Sequence, residues 1–441
     1  MSSHSVAFMA PFVSTDQAFL VSSPLKMLPM DAIPLPIGET VPPAGATFDN
    51  IWSVPSKRST DRMMVHTHTN SPLFSGISNW IIADARDEIT PAAVSPPTEN
   101  EIKSLREALG AFFGERNPQK ALPLLTNVLQ SFERQPPDER AALYRVRGDC
   151  YIALKLPQQA ADDFSRCLVL MNGPGGERAD PSERPLARLG RARALRSRAG
   201  DDGFNQEDWK RRNVQAADDY RAALTLTGSD DFDEEERLAD GLARNPYAAW
   251  EWGMSLRASG SYEDAARTHG RAARAFEDVG DHAAAVVSAL DRGIDLAAAS
   301  SGTDVNYARD ALKAAILSTP TVKGDDISLL QRVVAKEGEA RMALASILWA
   351  ANDKSDGEKE FFDACATFDQ LDADADARDK VAQKTGAMPK PLILNLGYSI
   401  DDILGAREVG CSSFKRESFL TEKLQWPDVL QEKVLKLEKL K

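Results

Sequence analysis

Side chains able to do chemistry are few in this chain and poorly placed for it. His66-x-His68 is its only close histidine pair. Alternating histidines can share one strand face and a metal, but no third ligand accompanies them. Gly173-Pro174-Gly175-Gly176 lacks the Lys-Ser/Thr that completes a phosphate-binding loop and precedes no strand-like segment, so it reads as a turn between helices. Asp372-x-Asp374-x-Asp376 opens like a calcium loop. Ala377 then stands where the loop needs Gly, and Gln383 where it needs a closing Glu, so the stretch reads as solvated acid. The run Ser229–Glu236, SDDFDEEE, either caps and starts a helix or meets a basic partner. With 5 histidines in 441 residues, no Ser/His/Asp or Cys/His arrangement assembles. The expectation is a non-enzyme with no cofactor and no metal.

Another kind of chemistry is better represented. Arg184, Arg188 and Arg191 recur at spacings of four and three, which places them on one face of a helix. Guanidinium forks grip carboxylates in pairs of bonds. Such a row needs a rigid helix to carry it, and the composition favours one. Ala is abundant and aromatics are 7% of the chain, which suits closely packed helices. The net charge of -13 argues against a general nucleic-acid binder, which needs a dominant basic surface. No apolar run reaches the length of a membrane span. Cys150, Cys167, Cys365 and Cys411 show no paired spacing, and no disulfide framework is expected.

The chain changes character near residue 98. Residues 1–97 hold 12 of the 25 prolines, are rich in Ser and Thr, and are expected to be an irregular arm in which Ile77–Ile82 could dock on the body. From Thr98 helical periodicity takes over, with Thr98 and Glu101 at capping-box spacing. A repeat then emerges. Gln159–Leu170 reads QAADDFSRCLVL and Gln215–Leu226 reads QAADDYRAALTL, 7 identities in 12 positions. Gly148 and Gly190 lie in helices upstream of the two copies. Gly253, Gly260, Tyr262 and Ala265 hold corresponding places in a third pair. Further helices are expected over 282–299, 303–317, 325–335, 337–351 and 355–370, without the repeat pattern.

These residues resemble the tetratricopeptide-repeat (TPR) family. Ala142-x-Tyr144-x-x-x-Gly148-x-x-Tyr151-x-x-Leu154, then Ala160-x-x-x-Phe164-x-x-x-Leu168, follows its consensus closely. The third pair follows it with His269 in place of a large apolar residue. The middle pair carries Arg193 at a usually apolar site and Asp201–Asn213 as an insertion. The resemblance implies an all-α fold: a TPR-like helix-hairpin superhelix, an α-solenoid, over residues 98–317. An irregular arm at 1–97, which could include a targeting sequence, would precede it. A C-terminal helical region and cap at 318–441 would follow. AALYRVRGDC at 141–150, RNPYAAWEWG at 244–253, and Gly410-Cys411 with Trp426-Pro427 are similar to TPR proteins of plastids and cyanobacteria. That second resemblance implies plastid residence, soluble or peripheral to thylakoids. Ser5–Phe12, SVAFMAPF, is similar to a plastid cleavage motif.

In the TPR family the first helix of each pair lines a concave face that holds peptides. By resemblance this face takes Arg145, Asp149 and Ile152, then Arg184, Arg188 and Arg191, then Tyr247, Trp250, Met254 and Arg257. The expected ligand is an acidic protein segment with one large apolar side chain. Two plainer readings stand beside it: the arginines as an ordinary solvated face, and Trp250 as core. Heat-shock chaperone tails are not expected, because at the positions matching that family's clamp Asp149 and Glu251 would repel a tail carboxylate. The function implied is a protein-interaction scaffold or assembly factor, for photosynthetic complexes by the second resemblance; a permanent structural subunit is the alternative. At the C-terminus, Leu430, Val434, Leu437 and Leu440 form a stripe that suits a capping helix on the array or an amphipathic helix on a membrane surface.

Overall fold

The computed structural model describes residues 97–197, 205–225, 233–300, 305–322, 327–385 and 411–439. Expectations that fall on residues 1–96, including His66, His68, Ser5–Phe12 and Ile77–Ile82, lie outside the described residues, as do the side chains of Asp372, Asp374 and Asp376.

Among the described residues the fold is all-helical, with no strand. The helices are α1 (Glu99–Leu109), α2 (Pro118–Ser131), α3 (Pro137–Ala153), α4 (Pro157–Asn172), α5 (Glu183–Arg196), α6 (Gln206–Thr225) and α7 (Glu234–Arg244). They continue as α8 (Pro246–Ala258), α9 (Tyr262–Asp278), α10 (His282–Ala299), α11 (Val305–Ser318), α12 (Ile327–Ala350), α13 (Lys354–Thr385) and α14 (Asp428–Val434).

Local chemistry sets the boundaries. Thr98 and Glu101 close a capping box on α1, and Asp233 with Glu236 closes another on α7, so part of the acidic run starts a helix. Asn117, Asn245 and Asp281 cap α2, α8 and α10. Four turns share one geometry. The amides of Leu156, Ser261, Asp281 and Asp353 reach back five residues to the carbonyls of Tyr151, Leu256, Phe276 and Leu348. In each, the residue before the donor has positive φ: Lys155, Gly260, Gly280 and Asn352.

Consecutive helices pack in pairs: α1 with α2, α3 with α4, α5 with α6, α8 with α9, α10 with α11, and α12 with α13. Each pair then packs on the next, an arrangement consistent with an α-solenoid. The extra helix α7 rests on α6 and α9. Small residues let the pairs close. A Cβ on Gly148 would lie 2.9 Å from the buried Phe164 ring, and one on Gly190 of the next pair would lie closer still to the same ring. Gly253 faces His269 in the same way, so the imidazole takes the place of the aromatic ring.

Three expectations are corrected. The helices at 325–335 and 337–351 are one helix, because Gly338 is a close-approach residue rather than a break: a Cβ there would sit 2.5 Å from Phe368. The insertion at Asp201–Asn213 is helical from Gln206 onward, with Trp209 and Asn213 buried. Finally, Cys365 and Cys411 form a disulfide across a Cα–Cα distance of 4.9 Å. Cys150 and Cys167 are free and buried, as their spacing on inward helix faces leads one to expect.

Candidate protein-binding face

The first helices of successive pairs, α3, α5, α8, α10 and α12, are joined by ion pairs, one set at each junction. Arg145 of α3 bonds Glu183 of α5, and bonds Asp149 on its own helix at 2.8 Å. Arg193 of α5 bonds Glu251 of α8 at 3.0 Å. Arg257 of α8 bonds Asp295 and, at 2.9 Å, Asp291 of α10. Lys336 of α12 bonds Asp291 at 3.3 Å.

The α8–α10–α12 junctions form the densest network. Trp250 donates from Nε1 to Asp291 at 2.8 Å, and Arg332 stacks over the indole at 5.3 Å. Arg257 also donates to the Asp291 carbonyl at 2.8 Å. His269 places Nδ1 2.6 Å from Asp295. Burial pushes the Asp291 carboxyl up. Lys336 and Arg257, with the indole hydrogen bond, outweigh it and hold the group well below the usual carboxylate range. Elsewhere burial prevails: it raises the Asp149 carboxyl despite Arg145, and the Asp163 carboxyl despite the two-pronged bond from Arg147.

This geometry corrects part of the expected site. Arg257 is 3% exposed and Arg145 5%, and both forks are committed within the chain. Trp250 is 8% exposed and belongs to the core between α8 and its neighbours, the plainer of its two readings. Met254 accepts a weak bond from Arg257, and Tyr247 donates to Asp281 at 2.7 Å while packing edge-on against Phe276. Ile152 packs at the edge of the core around Phe164. Asp149 and Glu251 are likewise neutralised by arginines, so their charges do not bear on a tail carboxylate as the sequence alone suggests.

The arginines of α5 are different. Arg191 grips Asp219 with two bonds of 2.7 Å, while Arg188 reaches the same carboxylate at 3.4 Å. Arg184 donates only to the Met171 carbonyl, at 3.2 Å. Among the described residues, Nε of both Arg184 and Arg188 has no partner. Among the described residues, Asp219 is the single carboxylate that Arg188 and Arg191 share, Arg184 bonds none, and all three side chains are half-buried. Burial, with Arg191 and Arg184 alongside, lowers the Arg188 guanidinium from its ordinary value. The face is therefore locally basic in a chain that is acidic as a whole.

Sequence reasoning missed the inter-helix network. Two of its acidic members, Asp291 and Asp295, lie on a helix outside the clear repeat, and spacing carries no sign that their partner Arg257 stands 34 and 38 residues away. Among the described residues no three metal-ligating side chains converge, and no helix is long and apolar enough to cross a membrane. No family model matches the chain, and no curated protein matches it.

Proposed function

We propose that this chain is a TPR-like scaffold that recruits proteins and performs no catalysis of its own. The observation that carries the reading is the row Arg184, Arg188 and Arg191 on one rigid, half-exposed helix: among the described residues Arg188 and Arg191 share the single carboxylate of Asp219, and Arg184 bonds only the Met171 carbonyl. An acidic segment of a partner protein supplies the missing acceptors. Each charge-assisted bond contributes about 1.5–3 kcal/mol, and the two-pronged geometry selects carboxylates. The paired helices, the glycines set against aromatic rings and the recurring turn support the TPR assignment. The resemblance to plastid and cyanobacterial proteins further suggests a plastid setting with partners among photosynthetic complexes.

The test is capture of partners from the native source by the full chain, beside an Arg184→Glu/Arg188→Glu variant of unchanged circular dichroism. The expected result is a set of acidic-segment proteins held by the first and lost from the second. Identical protein sets in both would overturn the reading. Fractionation of the source cells checks the compartment.

A further inference from the structure

The C-terminal segment does not sit where the next unit of a stack would. α5 lies mainly on α4, and α10 on α9, so these pairs rest on the preceding second helix, while α12 packs on both α10 and α11. α14 instead packs on the first helices α12 and α10. Asp428, at its start, accepts bonds of 2.8 Å each from Gln206 and Lys210 of α6. The segment thus runs back across the array as a strap. Trp426, Leu430, Val434 and Leu437 are buried in the same core as Leu290 and Ile294 of α10 and Leu344 of α12.

The strap is anchored at its beginning. Cys411 is bonded to Cys365 of α13. Three residues further along each chain segment, Phe414 stacks on Phe368 with ring centres 5.1 Å apart, and Phe414 also meets Trp426 edge-on at 5.3 Å. Both cysteines are half-buried rather than sealed in the core. We propose that the Cys365–Cys411 bond is a redox latch that holds residues 411–437 over the faces of α10 and α12, and that reduction by a dithiol releases them. That the uncovered face then receives a partner rests on the binding-face reading above; the release itself does not.

The chemistry balances as ordinary thiol–disulfide exchange. One thiolate of the dithiol attacks a sulfur of the pair, the Cys365–Cys411 bond breaks, and the other sulfur leaves as a thiolate and takes up a proton. The second thiol of the reductant then displaces the first sulfur. Two electrons and two protons pass to the chain, and the reductant leaves as a disulfide. Cys150 and Cys167 do not compete: burial pushes both thiols up to about 12, which keeps them protonated. The strap's apolar burial and the entropy of ordering it are large opposing quantities of similar size. The cross-link, which closes a loop of 46 residues, therefore shifts the balance.

Hydrogen exchange of the full chain, read by mass spectrometry with and without dithiothreitol, tests the latch. Loop closure of this length predicts that exchange over 411–437 speeds up on the order of 1,000-fold on reduction, while α3–α5, which the strap does not touch, is unchanged. Cys365→Ser is expected to exchange fast without reductant. If that variant does not fold, reduction of the unaltered chain decides alone. Equal protection in both redox states, or alkylation of Cys365 in unreduced protein, would overturn the latch. Neither result depends on whether Arg184 and Arg188 hold a partner, so the two proposals fail separately.

Discussion

Arg193 and Glu251, 58 residues apart in sequence, meet at 3.0 Å between α5 and α8, with the carboxylate fully buried. Arg193 occupies a position where the repeat calls for an apolar side chain. Its partner explains why the position tolerates a charge. A buried ion pair is costly to break from one side and cheap to replace whole. Either Arg193→Leu or Glu251→Leu alone is therefore expected to cost about 3–5 kcal/mol, and the double substitution to recover most of it. Urea denaturation of the three variants checks this; additive losses would show that the pair is not coupled.

Asp291 gives a pH signature. Its carboxyl is held below the usual range in the folded chain, so it contributes stability above the unfolded value of about 4, and that contribution is lost as pH falls toward the folded value. Asp291→Asn leaves Arg257 and Lys336 short of a counter-charge, at a cost of about 3–5 kcal/mol near neutral pH. The gap between variant and parent should narrow below about pH 4. Thermal melts across pH 3–7 measure it, and a gap that widens on acidification would contradict the network described.

Gly148→Ala opposes two effects of known size. Removing a helical glycine gains up to about 1 kcal/mol. The new methyl would lie 2.9 Å from the fully buried Phe164 ring, and overpacking of this kind costs about 1–3 kcal/mol. The second effect is expected to win because Gly190 also crowds the same ring and limits its escape. A lowered denaturation midpoint for Gly148→Ala, relieved by Phe164→Leu in the same chain, is the expected pattern.

Much of the helical framework was legible because it is written locally. The helix expected over 282–299 is α10, His282–Ala299, since Gly280 and Asp281 mark its start unambiguously. The break expected between 335 and 337 is absent, and the close approach of Gly338 to Phe368, 30 residues on, is a contact that the local sequence does not show. The candidate face was half legible. Resemblance to the repeat placed Arg145, Trp250 and Arg257 on one surface, but whether a fork is open depends on distant carboxylates that neither motif nor periodicity pairs. The Cys365–Cys411 bond was illegible for the same reason.

Deleting residues 426–441 should uncover the apolar faces of α10 and α12 that Trp426, Leu430, Val434 and Leu437 now cover. The expected outcome is a lower melting temperature together with binding of an apolar dye. Loss of liposome binding without any change in stability would instead favour the amphipathic membrane helix. Trp426→Ala alone is expected to cost about 3–5 kcal/mol where the side chain is fully packed.

The sign of the charges along the first helices has a consequence for modularity. At the first three junctions the earlier helix brings the base and the later one the acid. At α10 the order reverses: Asp291 serves Arg257 on one side and Lys336 on the other. The α10–α11 pair is thus an adapter between two helices that both offer cations. Excising it, as repeat arrays of uniform sequence allow, would bring Arg257 against Lys336 and Arg332. The units of this array can be neither shuffled nor counted freely; their order is encoded in charge.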